Sequence, residues 1–198
     1  MKTLIICLST ALLFSTTQGI TKEERTAAVK ELNATKNHLN SALLGLSEGQ
    51  LNFKSGPNTW SIAECVEHMV ISEENIFGML QGALQTPADP SKRDEVVMTD
   101  KNLMALIIDR SNKVKTSKPF EPTGQYGTHR ETYEAFKEKR AHTIQFVKTT
   151  TEDLRNHYTQ LPFGTIDGYQ VLIFMSGHTE RHIRQIEEVK NHPDFPKE

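Results

Sequence analysis

The chain has 198 residues, with 23 lysines and arginines against 25 aspartates and glutamates and a formal net charge of −2. That near balance, with no basic block along the chain, excludes nucleic acid as an implied partner. The two cysteines are Cys7 and Cys65, and the first falls in an expected leader, so no internal disulfide can hold the mature fold.

Met1 and Lys2 make a short basic start, residues 3–14 are mostly apolar, and Ser15-Thr16-Thr17-Gln18-Gly19 is small and polar. Residues 1–19 therefore read as a secretory signal peptide, with Thr17 and Gly19 as the small residues before the cut. The apolar run is too short to span a bilayer. Cys7 follows Ile6 rather than a small residue, which argues against a lipid-modified cysteine. No later run is long enough to cross a membrane. The expectation is a soluble, exported protein, periplasmic or extracellular, whose residues 20–198 form one domain with a full-sized core.

Thr21-Lys22-Glu23-Glu24 is a capping box, in which the threonine hydroxyl accepts from the Glu24 amide and the Glu24 carboxylate reaches back. It opens a helix to about Leu46, with Ala28, Leu32, Leu39 and Leu43 at four- and seven-residue steps. Residues 47–59 contain Gly49, Gly56 and Pro57 and are expected to be irregular. Ser61-Ile62-Ala63-Glu64 is a second capping box, stapled by Trp60 and Cys65, and starts a helix to about Gln81. Residues 101–110 form a shorter helix behind Thr99 or Asp100. Residues 111–127, with Pro119, Pro122 and two glycines, form a loop over the bundle mouth. Thr128-His129-Arg130-Glu131, a third capping box, opens a helix through Tyr133, Phe136, Ile144 and Val147. A connector with Pro162, Phe163, Gly164 and Gly168 leads to a last helix ending near Asn191, and the tail beyond is expected to fray. Strand signals are scarce. The fold class expected is all-α, a four-helix bundle with an additional short helix.

In the last helix His178 and His182 stand four residues apart, so both imidazoles leave the same face. Val171, Met175, Ile186 and Val189 share that stripe, which turns the pair inward. His68 sits in an earlier helix beside the apolar positions Cys65, Ile71 and Met79. Two converging imidazoles and a third from another helix make the three-nitrogen, open-position set of a catalytic or ligand-binding metal site. Neutral imidazoles add no charge, so a zinc or nickel ion on three of them keeps its full positive charge. The open position can take water or a thiolate. A lone histidine on an apolar face is more often a core residue bonded to backbone; the spaced pair together with His68 favours metal.

The neighbouring residues carry weaker signals. Glu180 lies between the pair but points elsewhere, so this is not a His-Glu-x-x-His motif. Gln185, one turn beyond His182, is placed to orient a ligand or touch a substrate. For Glu64, closing the capping box outweighs a role as base. Arg181 and Arg184 read as a solvated edge, with Arg181 in reach of an anionic substrate. His38, His129, His142, His157 and His192 read as surface residues, and Cys65 as a buried structural thiol. Phe120 and Tyr126 are expected as apolar contacts in a pocket wall.

Trp60-Ser61-Ile62-Ala63-Glu64-Cys65-Val66-Glu67-His68 resembles the Trp-Ser…His segment that opens the second helix in the DinB/YfiT-like superfamily. Phe163-Gly164, followed by Gly177-His178-Thr179-Glu180-Arg181-His182-Ile183-Arg184-Gln185-Ile186, resembles that family's closing His-x-x-Arg-His-x-x-Gln segment. The two stand in the right order, and the likeness covers most of the chain after residue 19, although these stretches alone are specific. The resemblance implies a metal-binding four-helix bundle with a divalent transition metal, zinc or nickel, on three histidines. Carried over by position these are His68, His178 and His182, the same three that spacing selects. Members include thiol-dependent transferases and isomerases, and others are described as metal-dependent hydrolases, so the family implies site and fold more firmly than reaction.

Three functions are open on this reading. One is a metal-dependent hydrolase acting on a small-molecule substrate. The second is a thiol-dependent S-transferase or isomerase, against which export weighs, because low-molecular-weight thiols are mainly cytoplasmic. The third is a non-enzymatic binder of a metal or small ligand. Three ligands and an open position argue against a purely structural metal, which four ligands would normally close. No feature names the substrate or a catalytic residue, and a homodimer is left open.

Overall fold

The computed structural model describes residues 19–112 and 114–197. The expected signal peptide therefore lies outside the described residues, apart from Gly19. Four long helices make the body: α1 (Lys22–Leu43), α3 (Ile62–Ala83), α5 (His129–Thr149) and α6 (Gly168–Lys190). Two shorter ones, α2 (Glu48–Asn52) and α4 (Asp100–Ile108), a hairpin of β1 (Tyr158–Leu161) and β2 (Gly164–Asp167), and short 3-10 helices at Pro90–Glu95, Lys118–Phe120 and Leu154–Asn156 complete the regular elements among the described residues. Helix α1 packs against α5 and α6, and so does α3, so α1 and α3 occupy opposite corners of the bundle. No helix among the described residues is long and apolar enough to cross a membrane.

The caps form as the sequence predicts. Thr21, Ser61 and Thr128 each accept from the amide three residues on, while Glu24, Glu64 and Glu131 reach back to the cap amide. Each box satisfies two of the donors a helix start leaves without partners. Thr99 caps α4 by accepting from the Asn102 amide.

Three expectations need correction. The stretch 47–59 is not wholly irregular, because Ser47 and Gln50 make a fourth capping box that opens α2. That box outweighs the helix cost of Gly49, and Leu51 gives α2 a buried anchor. The connector before α6 is a hairpin, with Tyr158 opposite Asp167 and Leu161 opposite Gly164. Pro162 and Phe163 make its turn, and Gly164 takes a φ of 129° that other residues rarely adopt. The all-α expectation thus holds for the body and misses this short ribbon. The tail does not simply fray either: Phe195 packs edge-on to Phe53 at 5.5 Å, and Gln50 donates to the Pro196 carbonyl.

The core divides into two apolar halves. One centres on Leu32, Leu80, Val147, Leu172 and Met175, the other on Leu39, Ile62, Val66, Phe136 and Ile183. Among the buried polar residues between them, each long helix contributes one to a single hydrogen-bonded cluster: Thr35 from α1, Glu73 from α3, Arg140 from α5 and Thr179 from α6. Arg140 uses all its N–H donors there. Its Nε and one Nη2 hydrogen reach the Glu73 carboxylate at 2.6 and 2.8 Å, and the other Nη2 hydrogen reaches the Thr179 hydroxyl at 2.8 Å. Its Nη1 donates to the Leu32 carbonyl and the Thr35 hydroxyl at 2.9 and 2.8 Å. One fully satisfied arginine thus joins all four bundle helices beside the histidine level.

Candidate metal centre

His178 and His182 project from α6, and His68 projects from the adjacent α3. The three side chains converge as the spacing predicts and could hold a metal ion. His178 Nε2 lies 3.3 Å from His68 Nε2 and 3.3 Å from His182 Nε2. Metal–nitrogen bonds of about 2.0–2.1 Å at tetrahedral angles separate neighbouring nitrogens by about 3.3–3.4 Å. The donor set therefore matches the scale of a tetrahedral edge.

The other ring nitrogens set the tautomers. His68 Nδ1 is 2.7 Å from the Phe120 carbonyl, which can only accept, so Nδ1 carries the proton and Nε2 the lone pair. His182 Nδ1 is 3.0 Å from Gln185 Oε1, and Arg110 Nη1 also donates to that oxygen at 3.3 Å. Arg110 can only donate, which places the amide oxygen there, so His182 Nδ1 carries the proton and its Nε2 the lone pair. A proton on His178 Nε2 could point at only one of the two lone pairs beside it. The Ser72 hydroxyl, 3.4 Å from His68 Nε2, can donate to the other; a cation that accepts all three lone pairs satisfies the set as well. Partners of this kind orient imidazole ligands in metal sites generally.

Burial favours the form a metal needs. It lowers the His68 pKa, although the hydrogen bond to Phe120 opposes the shift. It takes His178 down to about 3, helped by the neighbouring His68 and two arginines. His182 is lowered well below its ordinary value by burial and then by the other two rings. The rings are neutral at pH 7 and ready to donate. In the metal-free protein the unfolded chain takes up protons here below about pH 6.5, while the native chain resists until lower pH. This contribution to stability is therefore complete above about 6.5 and is lost as the pH falls toward 3. Urea midpoints of the metal-free protein should drop between neutral and mildly acid pH, and drop less in a His178→Gln, His182→Gln variant. Equal drops in the two proteins would rule this out.

A cavity of about 630 Å³ opens beside the histidines, between α3, α4, α6, the hairpin turn and the loop after α4. Adjacent residues of α3 tie that loop down. His68 holds Phe120, and the buried Glu67 carboxylate accepts from the amides of Thr123, Gly124 and Gln125 at 3.2, 3.0 and 2.9 Å. Gly124 allows the turn, with φ of 79°. On the other side α4 comes close to α6 because Gly177 has no side chain; a Cβ there would meet Met104 Sδ at 3.1 Å and Ile107 Cβ at 3.2 Å.

Arg181, Tyr126 and His157 take roles other than those expected, while Glu64, Glu180, Phe120 and Cys65 take the expected ones. Arg181 is not a free cation, since its guanidinium donates to the carbonyls of Ile107, Asp109 and Asn112 and clamps the end of α4. Glu64 closes its capping box and pairs with Lys54. Glu180 turns away to His38 and Arg184. Phe120 lines the cavity, whereas Tyr126 lies outside it and donates to Glu74. His157, expected at the surface, is buried with Nδ1 3.2 Å from the Ala83 carbonyl. Burial pushes the Cys65 thiol up to about 12, so it is no nucleophile at neutral pH.

Sequence reasoning passed over Ser72, Trp60 as a wall, Glu67 and Arg110. The Ser72 hydroxyl is 3.4 Å from His68 Nε2 and lines the cavity. Its four-residue step from His68 was the available signal. The Trp60 ring stands 4.8 Å from that of His68 and 6.3 Å from that of His182. Glu67 and Arg110 act across distances in sequence that no local pattern encodes.

Fold and site together define a helical bundle with a three-histidine cluster at the base of a cavity. The DinB superfamily model matches residues 31–186, and the chain belongs to that superfamily. Its fold is that of YfiT from Bacillus subtilis, described as a probable metal-dependent hydrolase with an unusual four-helix bundle topology. The likeness spans 90% of this chain and 92% of that one at a TM-score of 0.57 and 14% sequence identity. No curated protein matches the chain.

Proposed function

We propose that the chain is a metal-dependent hydrolase in which His68, His178 and His182 hold a divalent transition metal, and a small substrate reaches them through the cavity. The observation that carries this reading is the 3.3 Å convergence of three Nε2 atoms, two of them left bare by Phe120 and Gln185. Zinc and nickel suit an all-imidazole donor set. A cation there would supply Lewis acidity toward a substrate carbonyl and lower the pKa of water.

The chain's own part is orientation and exclusion of water. The Phe120 carbonyl and the Gln185 amide hold two imidazoles in the donating tautomer. Ser72 Oγ is the hydroxyl placed to hold a proton beside the substrate. Glu67 and Arg181 fix the loop and the α4 end that cover the histidines. The description of YfiT as a probable metal-dependent hydrolase supports the reading. The export expected from residues 1–19 argues in the same direction, away from thiol chemistry.

The test is hydrolysis of simple esters and amides by zinc- or nickel-loaded protein with no thiol added. Turnover should vanish on chelation, return with metal and be absent in His178→Ala. Turnover only when a thiol is supplied would assign a transferase instead. Silence in both assays, with tight ligand binding at the histidines, would assign a binding protein.

A further inference from the structure

The cavity above the histidines has a consistent chemical gradient. Its floor is polar, made by the three Nε2 atoms and the Ser72 hydroxyl. Its middle is apolar and aromatic, with Ile76, Met79, Phe120, Phe163 and Phe174. Of the polar side chains on the helical walls, Asn75 donates to the Ile71 carbonyl and the Arg181 guanidinium to three carbonyls of the loop. The other polar side chains, Asp109, Asn112, Lys115, Thr116 and Ser117, belong to the exposed or half-buried loop after α4. The apolar surface then continues outward. Leu106 and Val114 line the same cavity, yet are 46% and 78% exposed. They are two of the four large hydrophobics left exposed among the described residues. Exposed apolar surface that runs into a pocket marks a ligand site rather than a solvated edge.

The space of about 630 Å³ falls within the ~300–1,000 Å³ of small-molecule sites. It exceeds what a head group at the histidines alone would need. Against the Ile76, Met79, Phe163 and Phe174 walls a polar molecule would lose water from its hydroxyls without gaining partners, which is costly. Filling it with hydrocarbon releases water from apolar walls, which is favourable.

Resting on the hydrolase reading, we propose that the substrate is amphipathic. Its reacting polar end lies at His68, His178 and His182, and a hydrocarbon body fills the cavity between Met79, Phe163 and Phe174 and leaves past Leu106 and Val114. The binding direction then follows from the lining, because the buried polar partners lie at the floor while the helical and hairpin walls are apolar.

Two ligand series test this apart from catalysis. Straight-chain hydroxamates from acetohydroxamate to octanohydroxamate are titrated into zinc-loaded protein by calorimetry, and 1-butanol to 1-octanol into metal-free protein by Trp60 fluorescence. Affinity should rise by about threefold to fourfold per methylene in both series, until the chain reaches the mouth. Leu106→Glu should flatten the dependence for the longer chains and leave acetohydroxamate unchanged. Affinity independent of chain length in both series overturns the proposal, whether or not acetohydroxamate binds. A rise along the alcohols with no binding of acetohydroxamate to the zinc-treated protein upholds the hydrocarbon body and overturns the metal reading instead.

Discussion

Replacing Arg140 with methionine is expected to destabilise the protein by about 3–5 kcal/mol, the scale for removing one partner of a buried ion pair. The variant leaves Glu73, 2% exposed, with its charge buried and no cation to meet it. It also removes the guanidinium donors that reach the Thr35 and Thr179 hydroxyls and the Leu32 carbonyl. In a chain of this size the loss corresponds to a fall in Tm of ~6–20 °C. Replacing Glu73 with leucine at the same time should recover much of it, because no uncompensated charge then remains in the core. Urea unfolding of the single and double variants measures both effects. A single-variant loss below about 1 kcal/mol would mean that the cluster does not bind the four helices together.

The second large effect concerns metal. The wild type should bind one divalent ion per chain, and the His178→Ala, His182→Ala variant should bind none above background, as elemental analysis reads directly. Trp60 is the single tryptophan and lies beside two of the three rings, so cobalt, nickel or copper should quench its fluorescence in the wild type alone. A ligand that binds only the native state stabilises it, by about 4 kcal/mol at a free concentration one thousand times Kd. The double variant should gain nothing. Gln185→Leu, which removes the acceptor for His182 Nδ1, should weaken metal binding by about 10–100-fold while leaving the stoichiometry intact. Equal metal content in wild type and double variant would refute the assignment of these histidines.

Much of this was legible along the chain because the signals are local. The capping boxes at Thr21, Ser61 and Thr128 locate three of the long helices within single turns. The i, i+4 step brings His178 and His182 together by helix geometry alone. The missed elements lack such signals or carry conflicting ones. The hairpin turns on Pro162 and Phe163 rather than on a glycine-rich pair, and the Ser47 box lies among Gly49, Gly56 and Pro57, which read as loop.

By itself, the sequence determined a helical bundle, the starts of its main helices and the three imidazoles that can meet, because periodicity and capping depend on residues a few positions apart. Only the tertiary structure decided which tautomers those imidazoles hold, since Phe120 and Arg110 reach them from segments remote in sequence. It likewise turned Arg181, which reads as a surface cation, into a clamp on backbone carbonyls. It also buried Arg140 and Glu73, charged residues that a one-dimensional reading assigns to solvent. A charge can enter a core only where every donor finds a partner, and those partners come from four helices whose register is set by folding, not by neighbours in the chain.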